Sequence, residues 1–242
     1  MTPKNTFLQK LFRALRNPLL LPLKIRNQVR FLYLVYVERD EFSMAAKKWF
    51  ADHGDEKLRF DYPLGPDSIV FDLGGYRGEF ADAINKRFGC QVYLFEPVKR
   101  FYDECVARFE GNAKVRCFNY GLSDSNGSFL ISDEEDASSL TKADSAKASV
   151  EVFVKSFAEE VTALGVERID LLKMNVEGAE FMILPHILSS GLAPRIDNFQ
   201  IQFHDFYPNA KPLREEIRRR LAETHRELWN YPFVWESWTR KK

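Results

Sequence analysis

The sequence predicts an α/β protein: a mostly parallel sheet with helices on both faces, plus a helical N-terminal extension. Two observations predict it. From Asp67 onward, apolar runs of strand length alternate with amphipathic stretches of helix length, the pattern of βαβ units. The 242 residues, 45% hydrophobic and 29% charged, match a globular chain of one domain or one domain plus an extension. That composition excludes global disorder. No apolar stretch free of charge reaches the ~18 residues that a spanning helix needs.

The elements follow in order. Residues 1–60 are expected to form the extension and 61–242 the domain. In the extension, Phe7, Leu8, Leu11, Phe12 and Leu15 recur at helical spacing between Lys and Arg. Ser68–Asp72 is a buried strand closed by Gly74-Gly75. Phe80, Ile84 and Phe88 stripe a helix over 79–88. Gln91–Glu96 is the second strand, stopped by Pro97. Phe101, Cys105 and Phe109 stripe the second helix, and Val115–Tyr120 is the third strand. Residues 121–149 are loop-like, with a short strand at Ser128–Ser132 and an acidic run at Asp133–Asp136. The acidic run is expected to be a solvated loop, and the alternative for an insert of this size is that it covers a site. Val150–Lys155 alternates as a strand and leads into a helix at 156–164. Ile169–Val176 is a buried strand, followed by a helix over Gly178–Ser189. Asn198–Phe203 is a further strand, with His204 and Asp205 at its end. Leu213, Ile217 and Leu221 mark a last long helix. Leu228–Trp238 is expected to supply antiparallel edge strands.

The net charge of zero hides an asymmetry. Residues 1–37 hold Lys4, Lys10, Arg13, Arg16, Lys24, Arg26, Arg30 and no acid. With those seven of the 35 bases set aside, 28 bases face 35 acids in the remainder. An acidic body argues against nucleic acid as a partner. The basic segment is expected to cap the domain's own surface, with peripheral contact to anionic membrane or a partner, and a transit peptide, as the alternatives. The three cysteines, Cys90, Cys105 and Cys117, form no CxxC or Cys/His cluster. A disulfide scaffold is therefore not expected, and the chain reads as cytoplasmic.

In an open parallel sheet, ligands bind beyond the C-terminal ends of the strands. The first strand ends in Asp72-Leu-Gly-Gly-Tyr-Arg-Gly78, whose glycines let backbone approach a ligand. The second ends in Glu96, placed to accept hydrogen bonds from ribose hydroxyls. No GK[ST] follows Gly78, so an ATP P-loop is excluded. Glu79 in the first helical turn opposes the pyrophosphate of NAD. The cationic, phosphate-free S-adenosylmethionine suits this acidic turn better.

FDLGGYRGEF, LFEP, GLSDSNG and IDLLKMNVEGAE resemble the FkbM family of S-adenosylmethionine-dependent methyltransferases. The blocks match in order and spacing across residues 68–205. The resemblance implies a Rossmann-like class I methyltransferase fold and methylation of a hydroxyl on a sugar or polyketide. It also implies that Asp72, Gly74, Gly75, Tyr76 and Gly78 surround the methionine end of the cofactor. On the same basis Glu96 holds the ribose, and Leu122, Ser123 and Asp124 line the adenine pocket. Many members carry Ala-Asn where Gly75-Tyr76 stand, and Asp where Asn175 stands.

Asn175 and Glu177 follow the fourth parallel strand, on the ligand edge. His204 ends the next strand on the same edge and is expected to act as general base toward an acceptor hydroxyl. Asp205 is a candidate to orient its ring. No metal is expected, although Asn175, Glu177, His204 and Asp205 could supply hard-ion ligands. The function expected is S-adenosylmethionine-dependent O-methylation of a sugar hydroxyl in a glycan or glycoconjugate, as in polysaccharide biosynthesis. The alternatives are a methyltransferase-like binding module in an assembly complex and an NAD-linked oxidoreductase.

Overall fold

The computed structural model describes residues 23–132 and 149–242. The Phe7–Leu15 stripe and the acidic run Asp133–Asp136 lie outside the described residues. The chain runs through α1 (Leu23–Tyr33), which continues as a π-helical turn over Leu34–Glu38, and α2 (Glu41–Ala51). Next come β1 (Ile69–Leu73), α3 (Glu79–Phe88), β2 (Gln91–Phe95), α4 (Lys99–Arg108) and β3 (Val115–Phe118). Three strands follow: β4 (Gly121–Ser123), β5 (Gly127–Ser132) and β6 (Ser149–Ser156), then α5 (Phe157–Ala163). The last third holds β7 (Leu171–Met174), α6 (Glu180–Ser189), β8 (Asn198–Ile201), α7 (Ala210–Thr224), β9 (His225–Tyr231) and β10 (Trp235–Arg240).

The main sheet is seven-stranded in the order β3-β2-β1-β7-β8-β10-β9. The first five are parallel, and β10 inserts antiparallel between β8 and β9. This corrects the expectation of two edge strands at Leu228–Trp238: β9 is the edge and β10 is internal. Residues 121–132 hold more strand than expected, because β4 and β5 join β6 in a separate three-stranded sheet.

Alternation along each strand sends side chains to two cores. Phe71, Leu73, Phe95, Leu172, Met174 and Ile201 pack on the side of α5, α6 and α7. Val70, Val92, Leu94 and Leu171 pack on the side of α3 and α4. Helix α3 shows why the local sequence folds as it does. Glu79 and Asp82 sit in its first turn and Lys86 and Arg87 in its last, each complementing the helix dipole. Gly89 closes it at φ +65. Within the expected extension, α2 buries Trp49, whose ring lies 5.5 Å from Trp229 and 5.1 Å from Tyr231.

Two expected elements are shorter than drawn. The strand expected to reach Val176 ends at Met174, and the next helix begins at Glu180 instead of Gly178. The reason is local: Glu177 (φ +51) and Gly178 (φ +105) both take left-handed backbone, which neither strand nor helix allows. Among the described residues, no helix is long and apolar enough to cross a membrane.

Candidate active site

The chain runs outward from β1 to β2 and β3, and β7 then starts the other half of the sheet on the far side of β1. The crevice opens at this reversal, beyond the ends of β1 and β7. The turn after β1 supplies its floor. Gly74 (φ +74), Tyr76 (φ +48) and Gly78 (φ +79) all take left-handed backbone. The N–H groups of Gly74 and Gly75 donate to the Phe95 carbonyl at 3.0 and 3.2 Å, which binds the turn to the end of β2.

Lys173 holds the turn from below. Register pairs it with Asp72 on the adjacent strand, so both side chains point to the α3 face. Lys173 Nζ stands 2.7 Å from Asp72 Oδ1, and the two side chains are 4% and 0% exposed. The ammonium also donates to the Gly74 carbonyl at 2.8 Å and to the Leu73 carbonyl at 3.3 Å. Burial pushes the Lys173 pKa down, and the Asp72 charge opposes that shift. Neither Asp72 oxygen takes a well-directed hydrogen bond, so the ion pair is the main compensation for burying this carboxylate.

Glu96 stands beyond β2. Its Oε2 accepts the Tyr76 N–H at 2.7 Å and its Oε1 accepts the Val98 N–H at 2.9 Å. Burial raises its pKa to about 7, and the N–H groups of Val98 and Tyr76 only partly pull it back.

The cleft between these elements is lined by Gly74, Tyr76, Glu96, Asn175 and Glu177 on its polar side. Val98, Phe101, Leu122, Ile131, Val152 and Val154 form an apolar wall on the other. The Tyr76 and Phe101 rings meet with centroids 4.4 Å apart.

Gly74, Tyr76, Glu96, Leu122, Asn175 and Glu177 thus come together as expected from the sequence. Other expected contacts are corrected. Asp72 is wholly buried under the turn, paired with Lys173, and does not line the cleft. Gly75 and Gly78 shape the turn without lining it: a Cβ on Gly75 would fall 2.4 Å from Leu94, and one on Gly78 2.9 Å from Phe109. Ser123 and Asp124 do not reach the cleft. Strand β4 pairs with β6 through Ser123, carrying the chain toward the small sheet. Asp124 Oδ1 accepts from the Ser123 and Ser125 hydroxyls, as a turn residue does.

His204 does not itself line the cleft. Its Nδ1 lies 3.0 Å from Glu180 Oε1 and its Nε2 lies 3.4 Å from Glu177 Oε1. Burial alone would lower the imidazole pKa. The hydrogen bonds and charges of Glu177 and Glu180 outweigh burial and raise it to about 9. With a carboxylate set against each ring nitrogen, the surroundings favour the imidazolium over the neutral ring. The residue orienting it is the buried Glu180; Asp205 is exposed. Among the described residues, no group of three or more His, Cys, Asp and Glu is placed to hold a metal ion.

Sequence reasoning passed over Lys173 and the part Glu180 plays. The signal for Lys173 was present: a lone cation inside the apolar strand IDLLKMNV. The wall residues from β5 and β6 carried no such mark.

The model of the methyltransferase FkbM domain matches residues 72–231, well over half of the chain. The chain belongs to the FkbM methyltransferase family. No curated protein matches its sequence. Among solved structures it is similar to the methyltransferase FkbM from Methylobacillus flagellatus KT, with TM-score 0.50 and 10% identity over 75% of this chain and 45% of that one. It therefore spans less than half the length of that protein. An rRNA methylase from Streptococcus thermophilus gives TM-score 0.48 and 11% identity, over 78% of this chain and 96% of that one. Fibrillarin from Aeropyrum pernix, in complex with natively bound S-adenosyl-L-methionine, gives TM-score 0.43 and 11% identity, over 73% of this chain and 67% of that one.

As an FkbM methyltransferase the chain uses S-adenosylmethionine. The cleft of this FkbM domain fits that molecule. Asn175 Oδ1 is buried without a hydrogen-bond partner, and a ligand ammonium would satisfy it. The floor is glycine backbone, and the nearest carboxylates suit a cation.

Proposed function

We propose that the chain is an O-methyltransferase acting on a sugar hydroxyl in a glycan or glycoconjugate. The observation that carries this reading is Glu177. Its carboxylate is 30% exposed and lines the cleft beside the Gly74 turn, so a hydroxyl bound there meets a hydrogen-bond acceptor. When bound, S-adenosylmethionine supplies an electrophilic methyl group. Gly74, Tyr76 and Asn175 would hold its methionine end, Glu96 its ribose, and Leu122 with the apolar wall its adenine. The excess of acids over bases outside residues 1–37 disfavours a polyanionic acceptor. Labelled methyl donor offered with nucleotide sugars, glycan extracts and rRNA tests the reading. Label entering a sugar is the expected result, and label entering only rRNA overturns it. Calorimetry with S-adenosylhomocysteine and NAD separates the enzyme from an oxidoreductase.

Glu96 gives this reading a pH signature. Glu96→Ala should weaken S-adenosylhomocysteine binding by roughly 10- to 150-fold, the ~1.5–3 kcal/mol of a hydrogen bond to a charged group. Because burial raises its pKa from 4.5 to about 7, the folded state binds the extra proton between those values. The free protein should therefore lose stability as pH rises through that window. Ligand affinity should rise over the same window, because the carboxylate is the better acceptor. Affinity that is flat from about pH 5 to 8 would contradict the ribose assignment.

Residues 1–37 are proposed to touch anionic membrane. Along α1 and its π-helical turn, Ile25, Leu32, Tyr33 and Tyr36 share one helical face and are exposed, whereas Phe31 and Val35 turn toward the body. That apolar face joins a segment of seven bases and no acid. Attraction of ~1 kcal/mol per basic residue is screened by salt. Co-sedimentation with phosphatidylserine vesicles should fall as salt rises and be lost in Leu32→Glu/Tyr36→Glu. Equal sedimentation with neutral vesicles would refute this contact.

A further inference from the structure

We propose that Glu180 and His204 are a positioning pair that holds the Glu177 carboxylate at the cleft, where it takes the proton of the acceptor hydroxyl. This rests on the hydroxyl-methylation reading above. Glu177 is not a glycine, yet its backbone sits at φ +51, directly before Gly178 at φ +105. Such a conformation persists only where the surroundings impose it. Here Glu180 imposes it. Wholly buried, it accepts the Gly178 N–H on Oε2 at 3.0 Å and the His204 N–H on Oε1 at 2.8 Å. One carboxylate thereby ties the left-handed turn to the chain beyond β8. A Cβ on Gly178 would fall 3.1 Å from the Tyr207 ring, so the turn is also confined from outside.

His204 completes the clamp. Its Nδ1 faces Glu180 and its Nε2 faces Glu177. Neutral imidazole has one N–H and one lone pair, and in either tautomer the lone pair would oppose a carboxylate. Both contacts are favourable only when both nitrogens carry protons. Glu177 and Glu180 are the charged groups set against the ring, Phe206 packs on it with centroids 5.2 Å apart, and Asp205 points to solvent. The imidazolium cancels the charge of Glu180. What remains is the single negative charge of Glu177, and among these three side chains Glu177 alone lines the cleft.

The step balances. The acceptor O–H bond breaks as its O–CH3 bond forms, and the proton passes to a Glu177 Oε. The S–CH3 bond breaks and its electron pair stays on sulfur. Glu177 ends as a neutral acid and sulfur as a neutral thioether, so a negative and a positive charge are consumed together. The partly exposed carboxyl then returns its proton to water.

The test uses the full chain and has two independent readouts. NMR titration of the His204 ring should give a pKa well above the ordinary ~6.5. It should fall by about one unit or more in Glu177→Gln and in Glu180→Gln, since each removes a facing charge. Should Glu180→Gln fail to fold, Glu177→Gln, at a partly exposed site, still decides. Labelled methyl transfer into a mixture of nucleotide sugars and glycan extract should drop by roughly 10²–10⁴-fold in Glu177→Gln, the usual contribution of a general base. S-adenosylhomocysteine affinity should stay within about two-fold, because the mutation is isosteric and leaves the turn in place. His204→Gln should lower turnover more than it raises the acceptor KM. A wild-type ring titrating near 6.5 overturns the positioning pair, and full turnover in Glu177→Gln overturns the proton transfer. If the wild type binds S-adenosylhomocysteine but labels no sugar, the sugar reading fails, while the His204 titration still decides the clamp.

Discussion

Lys173→Met should cost about 3–5 kcal/mol of folding stability, because it leaves a buried charge uncompensated. The Asp72 carboxylate is wholly buried, and Lys173 Nζ at 2.7 Å is the cation that neutralises it. On the same side, the Phe80 ring centroid lies 5.7 Å from Nζ, so little water can enter to replace the lost partner. The expected loss is a large share of the ~5–15 kcal/mol that holds a typical domain together. It should also loosen the cleft, since Nζ no longer binds the Gly74 carbonyl. The double variant Asp72→Leu/Lys173→Met separates the two effects. Removing both charges should restore most of the stability. S-adenosylhomocysteine binding should stay impaired, because the turn has lost its tether. Urea unfolding of wild type, both singles and the double closes the cycle. A single variant losing under about 1 kcal/mol would show that the pair is solvated, contrary to its burial.

The parts of this molecule that follow from periodicity were legible in the sequence. Phe80, Ile84, Phe101 and Cys105 mark one face of their helices, and those faces are buried. The runs from Ile69, Gln91, Leu171 and Asn198 became the parallel strands because each is apolar enough to be covered on both sides. Strand order was less legible at the C-terminus. Nothing in Leu228–Trp238 says that the last strand in sequence inserts between β8 and β9, since adjacency in a sheet is a tertiary fact. The candidate site shows the same division. Glu96 and Glu177 could be placed because a residue just past a parallel strand is carried to the ligand edge whatever its neighbours do. His204 was placed equally well, but its ionisation could not be read from the sequence. Its protonation depends on Glu180, 24 residues away in sequence, whose carboxylate reaches it only once α6 has packed. Lys173 and Asp72 meet because register aligns them across 101 residues of chain. Composition records two opposite charges there and not their contact.

Gly74→Ala should weaken cofactor binding by roughly 30-fold to 10⁴-fold. At φ +74 an alanine is already strained. Its Cβ would also lie 1.9 Å from the Asn175 carbonyl oxygen and 3.0 Å from the carbonyl carbon, atoms of backbone that no rotamer change can move. Left-handed strain and overpacking each cost about 1–3 kcal/mol. Together, ~2–6 kcal/mol corresponds to roughly 30-fold to 10⁴-fold in affinity at 1.4 kcal/mol per factor of ten. The damage falls on the site because of what must give way. Asn175 donates its N–H to the Leu73 carbonyl at 3.1 Å, the last bond joining β1 to the chain after β7. Pushing Asn175 aside breaks that bond and shifts a residue that lines the cleft, with Glu177 two residues on. Gly127→Ala is the control. A Cβ there meets nothing within 4 Å, and its backbone is not left-handed, so that variant should fold and bind S-adenosylhomocysteine normally. Calorimetry on both variants, with circular dichroism to confirm folding, makes the comparison. A folded Gly74→Ala that binds S-adenosylhomocysteine as tightly as wild type would show that the ligand does not rest on this turn, and the cofactor site would have to be sought elsewhere on the sheet edge.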